Sequence, residues 1–302
     1  MKYINNNFNF LRLMLSLCVM IFHTGVLFDV NILKPFPGGL SVSCFFVISG
    51  YLIFTSYERS KSLKDYIIKR IKRMVPGLYV LTFLCIILGI FLTNLPLQGY
   101  FSKDLMQFIT ANLLFLNFIH PNLPGVFTNN STGAWVNGSL WSLKIEIIFY
   151  TSVPIILYFC RKHSIKGLTL CLLLSLLFKF ICIQCANFIK FSFPEVIQNV
   201  VFGSDYSPFA TISFFLCGGI LYYVKDYMTK YKINHALILP IFCIGIYCIY
   251  KGYYNIYFFP MLLALCIIIL QYIFHIRLKF LKQLEICLME FIFITTLFCK
   301  PW

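Results

Sequence analysis

Apolar stretches of about twenty residues recur along almost the whole chain, and no polar block long enough to fold separately interrupts them. A helix needs about 20 mostly apolar residues to cross the roughly 30 Å hydrocarbon core of a bilayer. Backbone in lipid must also satisfy its own hydrogen bonds, which leaves helices or closed barrels. Candidate spans fall near residues 10–29, 38–57, 74–95, 139–160, 167–189, 208–224, 235–250 and 256–275. Hydrophobic residues make up 60% of the 302 and charged residues 12%, against about 25% charged in soluble domains. The expected fold is therefore all-α: an integral membrane bundle of about eight transmembrane helices, a single domain over 1–302.

Charge placement sets the orientation. The net charge of +15 would suggest nucleic acid in a soluble protein. Here the basic residues follow the loops, seven of them between 58 and 73 and three each in 161–166, 225–232 and 276–283. Lysine and arginine accumulate in cytoplasmic loops, so topology accounts for them and no nucleic-acid partner is expected. The alternation of basic and non-basic loops holds if the short apolar stretch 105–119 stays on the outer side without crossing. The N-terminus is then cytoplasmic, with eight crossings. The first apolar run carries Arg12, lacks a small-residue cleavage pattern and precedes further spans, so it reads as a transmembrane helix and not as a signal peptide.

Within that first run, "FLRLMLSLCVMIFHTG", Arg12 and His23 are eleven residues apart. Eleven steps of about 100° return to within about 20° of the start, so the two share one helix face about 16 Å apart along the axis. Ionisable groups in a bilayer cost a few kcal/mol each and are seldom left there without a partner or a task. A helix beginning near Ser139 and running inward places Glu146 about 10 Å below the outer boundary, the depth at which His23 also falls. A carboxylate facing an imidazole fixes its tautomer and raises its basicity, which suits a general base. The basic run 59–76 reads as an amphipathic cytoplasmic helix, with Leu63, Tyr66, Ile67, Ile71 and Met74 on its apolar face. Arg70 and Arg73 project together, a spacing that suits a phosphorylated ligand as well as lipid headgroups. Gly38, Gly39, Ser41, Ser43, Ser49 and Gly50 read as a close-packing surface for a neighbouring helix.

These pieces, in this order, resemble the membrane-bound acyltransferase family 3, which includes surface-polysaccharide O-acetyltransferases. The residues that carry the likeness are Arg12 and His23, "FFVISGYLIF" at 45–54, Arg70 and Arg73 followed by Pro76, and "NGSLWSLKIEIIFY" at 137–150 with Trp141, Glu146 and Tyr150. The resemblance implies transfer of an acyl group, with acetyl expected, from cytoplasmic acyl-CoA to a hydroxyl of a lipid-linked or surface polysaccharide of the bacterial envelope, in the inner membrane. It implies His23 as the catalytic base with Glu146 beside it, Arg12, Arg70 and Arg73 as donor contacts, and Trp141 and Tyr150 as substrate contacts. A covalent acyl-histidine remains open beside direct transfer.

No metal is expected, because the five histidines lack ligand spacing, and the cysteines, mostly in apolar runs, read as small hydrophobes. The rival reading is a proton-coupled small-molecule transporter using His23 and Glu146 as a relay, which predicts internal symmetry that the sequence lacks. The chain stops in "LMEFIFITTLFCKPW", where the family usually adds helices. A short member or a truncated, inactive one is the expectation there.

Overall fold

The computed structural model describes residues 8–27, 30–33, 38–117, 119–128, 136, 140–160, 164–184 and 208–230. Its elements, in chain order, are helices α1 (Phe8–Leu27), α2 (Gly38–Glu58), α3 (Leu63–Leu92), α4 (Leu97–Tyr100), α5 (Lys103–Leu113), α6 (Trp141–Cys160), α7 (Ser164–Gln184) and α8 (Pro208–Lys230). Among the described residues there is no strand. Gly38–Glu58, Leu63–Leu92 and Ser142–Cys160 are long and apolar enough to cross a membrane, and shorter apolar runs occupy α1, α7 and α8. The candidate spans 235–250 and 256–275 lie outside the described residues. The stretch 105–119 gives the eleven-residue α5, about 16 Å long and too short to cross.

Helix α3 departs from expectation. A separate amphipathic helix was to precede a span starting near 74, yet thirty residues run as one helix with Pro76 inside. Lysine, arginine, leucine and methionine favour helix, and proline removes only one internal hydrogen bond. Thirty residues extend about 45 Å, close to the thickness of a bilayer with its headgroup layers. Beyond a twenty-residue apolar core, the surplus is the basic first three turns. Further along, Val80, Phe83, Ile87 and Phe91 are exposed at three- and four-residue steps, whereas Leu78, Leu81, Cys85 and Gly89 are buried. One stripe packs on protein and the other suits lipid.

The described chain forms two compact units. The described residues of the first lie within 1–15, 39–63 and 145–281, and those of the second within 16–38 and 64–144. In the first unit α2 and α8 approach until backbone meets backbone, and glycine makes that possible. A Cβ on Gly50 would lie 2.0 Å from the Phe215 carbonyl oxygen, and one on Gly218 1.9 Å from that of Val47. Around this seam Phe149 of α6 stacks on Phe215 at 4.2 Å between centroids, and Phe46 of α2 meets Phe149 edge-on at 5.6 Å. Phe8 of α1 packs on Tyr51 at 5.0 Å, and the Tyr223 hydroxyl donates to Glu58 Oε1 at 2.5 Å.

In the second unit the C-terminal end of α3, α4, α5 and the segment through Val126 share a core of Leu81, Cys85, Tyr100, Leu105, Phe108 and Leu123. Gly125 adopts a left-handed φ of 69° and turns the chain so that Asn94 N donates to its carbonyl at 3.0 Å. Tyr100 is fully buried and donates to the Ile86 carbonyl at 2.8 Å. Burial, reinforced by Cys85, pushes its phenol up to about 12 from 10.0. The fold thus favours the neutral phenol, a contribution intact below about pH 10 and lost as pH rises toward 12. Tyr100→Phe is expected to flatten that alkaline loss in thermal unfolding followed against pH. At neutral pH it should cost about 1 kcal/mol for the lost hydrogen bond.

Candidate functional site

Helix α1 carries Arg12 and His23, both half-buried, on the single uninterrupted helix that their shared face requires. The His23 ring meets Phe22 edge-on at 5.7 Å. The Thr24 hydroxyl donates back to the Met20 carbonyl at 2.9 Å, a side-chain bond one turn back on the same helix. Gly38 sits against the Phe22 ring, where a Cβ would come within 2.6 Å. The small residue at the start of α2 therefore gives room to the ring that flanks the histidine.

Helix α6 carries the second group. It starts at Trp141, so Glu146 lies five residues in, slightly nearer the helix start than a beginning at Ser139 predicted. Ile145, Phe149 and Val153 are fully buried, and the stacking of Phe149 on Phe215 fixes the rotation of the helix. That rotation sets Glu146 half-buried. The Tyr150 hydroxyl, one turn on, donates to Glu146 Oε1. Sequence reading assigned Tyr150 to substrate; the structure gives its hydroxyl a carboxylate to hold. The i, i+4 spacing of glutamate and tyrosine carried that signal. Lys144, two residues from Glu146, is half-buried too.

The third group lies on the basic end of α3. Arg70 stacks its guanidinium over the Tyr66 ring, 5.8 Å from the centroid. Tyr66 is buried, while Leu63, Ile67 and Ile71 are exposed, so the five apolar residues do not share one environment as expected. Tyrosine turns inward beneath the arginine, and the isoleucines turn out. Arg73 is exposed where Arg70 is half-buried, the offset that three residues of helix produce. Tyr66 is the site residue that sequence reasoning missed; an aromatic four residues before an arginine was its signal.

By unit, Arg12, Glu146 and Tyr150 belong to the first, and His23, Arg70, Arg73 and Trp141 to the second. No group of three or more histidine, cysteine, aspartate or glutamate side chains fit to hold a metal occurs among the described residues.

Comparison with known proteins bears on this arrangement. The chain is 31% identical over 154 residues to the O-acetyl transferase of Shigella phage Sf6, covering 48% of this chain and 44% of that protein. It is 26% identical over 178 residues to Nodulation protein 10 of Rhizobium leguminosarum bv. viciae, covering 54% and 47%. It is 32% identical over 131 residues to the peptidoglycan O-acetyltransferase OatA of Listeria monocytogenes, covering 39% and 19%. The matches thus span less than half the length of each of these relatives. No solved structure matches. The family model described as "Acyltransferase domain" fits residues 5–294. A fit of that extent takes in α1, the basic end of α3 and α6 together, and the chain belongs to this acyltransferase family.

Proposed function

We propose that this protein is an integral-membrane O-acyltransferase that moves an acetyl group from cytoplasmic acetyl-CoA to a hydroxyl of a cell-envelope glycan. The observation that carries the reading is the family match over residues 5–294, joined by relatives named as O-acetyl transferases. The chain forms one membrane domain of eight crossings, N-terminus inside, in the inner membrane, with the basic end of α3 at the cytoplasmic headgroups. Its partners are acyl-CoA, a lipid-linked or surface polysaccharide, and membrane lipid.

The chemistry follows from the groups. A thioester is already activated, so the residues' task is to place and deprotonate the alcohol. His23 takes the hydroxyl proton as the oxygen attacks the thioester carbonyl, and the CoA sulfur leaves. Glu146, its carboxylate held by Tyr150, orients the second ring nitrogen of His23; matched depth in the membrane supports that pairing. Arg12 lies on the same face toward the donor side. Arg70 and Arg73 bind the CoA phosphates, a task for which guanidinium forks are suited, and Trp141 contacts the acceptor.

Base-labile acetyl ester in the envelope glycan of cells with and without the chain tests the reading. Ester that depends on the chain supports it; equal ester content contradicts it. Arg70→Ala is expected to raise KM for acetyl-CoA about 10- to 100-fold, the worth of a charged hydrogen bond, with kcat nearly unchanged. Initial rates over a donor series measure the split.

A further inference from the structure

Two neighbouring cations on the basic end of α3 are anchored in different ways. The Lys69 ammonium is paired with the Asp65 carboxylate, one turn back, at 2.8 Å, and both side chains are partly exposed. Opposite charges largely cancel there. Arg70 also reaches one turn back, but to a ring: its guanidinium carbon lies 5.8 Å from the Tyr66 centroid, inside the roughly 6 Å over which an aromatic face attracts a cation. Tyr66 is 1% exposed, so the ring is a fixed plate. Arg70 Nε and Nη1 are buried as well. The residues three and four steps from Arg70 along the helix, Tyr66, Ile67, Arg73 and Met74, include no acid.

The two anchors differ in what they leave for a ligand. A carboxylate cancels the charge it holds and occupies the donors of the cation. A ring attracts the guanidinium through its quadrupole and brings no negative charge, so the cation keeps its full pull on an anion. A long side chain also loses rotamer freedom when it binds, and a rigid plate beneath the fork removes part of that cost before the ligand arrives. We propose that Tyr66 is the positioning residue for Arg70: its buried ring presets the guanidinium for a phosphate of the acyl-CoA donor and leaves the charge intact. The inference deepens the donor role proposed for Arg70 and rests on it.

Initial rates of acetyl transfer are measured with the full chain in membranes, over acetyl-CoA and over acetyl-pantetheine, which has the same thioester and no phosphate. Tyr66→Leu is expected to raise KM for acetyl-CoA about 3- to 10-fold, the worth of a partly buried cation–π contact, with kcat nearly unchanged. KM for acetyl-pantetheine should hold, because that donor has no phosphate for Arg70 to meet; a purely structural role would move both. Tyr66→Phe keeps the ring face and should bring KM for acetyl-CoA back to within about twofold of the unaltered chain. Tyr66→Met, a second ring-less variant, carries the same expectation as Tyr66→Leu and guards against a folding failure. In an Arg70→Ala background, Tyr66→Leu should add nothing, as expected of two residues that act through one contact. Equal KM rises for both donors, a rise in Tyr66→Phe as large as in Tyr66→Leu, or additive effects in the double variant would each overturn the positioning role. A KM rise in Arg70→Ala with none in the ring-less variants overturns the role of Tyr66 alone. An unchanged KM in Arg70→Ala overturns the donor role and this inference together.

Discussion

Gly218→Ala is expected to destabilise the protein by about 3 kcal/mol or more, at or above the upper end for overpacked interiors. The added carbon would lie 1.9 Å from the Val47 carbonyl oxygen and 2.6 Å from Tyr51 N. These are backbone atoms of α2, so no side-chain rotation relieves the overlap, and the helices must separate. Separation also pulls Phe215 from Phe149 and Phe54, which it contacts at 4.2 and 5.6 Å between centroids. Aromatic pairs of this kind each contribute about 0.5–1.5 kcal/mol beyond their buried area. In a protein with about 5–15 kcal/mol of net stability, the loss should appear as aggregation in detergent at lower temperature. Gly77→Ala serves as the control, because its Cβ would meet nothing within 4 Å. There the gain in helix propensity, about 1 kcal/mol, should leave the melting temperature unchanged or raised.

His23→Ala is expected to reduce kcat for acetyl transfer by about 10²- to 10⁴-fold, the usual worth of a positioned general base. KM for acetyl-CoA should hold, since the proposed mechanism has His23 act on the acceptor proton and not on the CoA phosphates. The contrast with Arg70→Ala separates the two tasks: one variant loses turnover, the other donor affinity. Equal losses of both parameters in both variants would mean that these residues serve the fold in common. Matched membrane abundance and elution of the purified variants remove that ambiguity.

The membrane elements were legible because hydropathy reports a physical requirement. The α2 and α6 helices match the spans 38–57 and 139–160 closely. The small residues of α2 were legible too: Gly38 and Gly50 do admit close neighbours, Phe22 and Phe215. Three features were not legible. Helix α3 continues through Pro76, because a membrane helix tolerates one lost internal bond when its flanks are strong helix formers. The inward turn of Tyr66 was hidden for a different reason. Lipid and protein interior are both apolar, so periodicity shows an apolar stripe without saying which of the two it meets. Contacts between residues far apart in sequence, such as Tyr223 with Glu58 and the stack of Phe149 on Phe215, leave no local pattern. The Tyr150 to Glu146 bond did leave one, the i, i+4 spacing, although sequence reading took Tyr150 as a substrate contact and Glu146 as the partner of His23.

The central claim is that this chain itself transfers acetyl groups with His23 as the base. Its most direct test is the transfer of radiolabel from acetyl-CoA into the glycan fraction of membranes containing the chain, beside membranes with His23→Ala at equal abundance. The account predicts label in the glycan with the unaltered chain and near-background label with the variant. Equal label in both would contradict the role of His23, and no label in either would contradict the acetyltransferase activity.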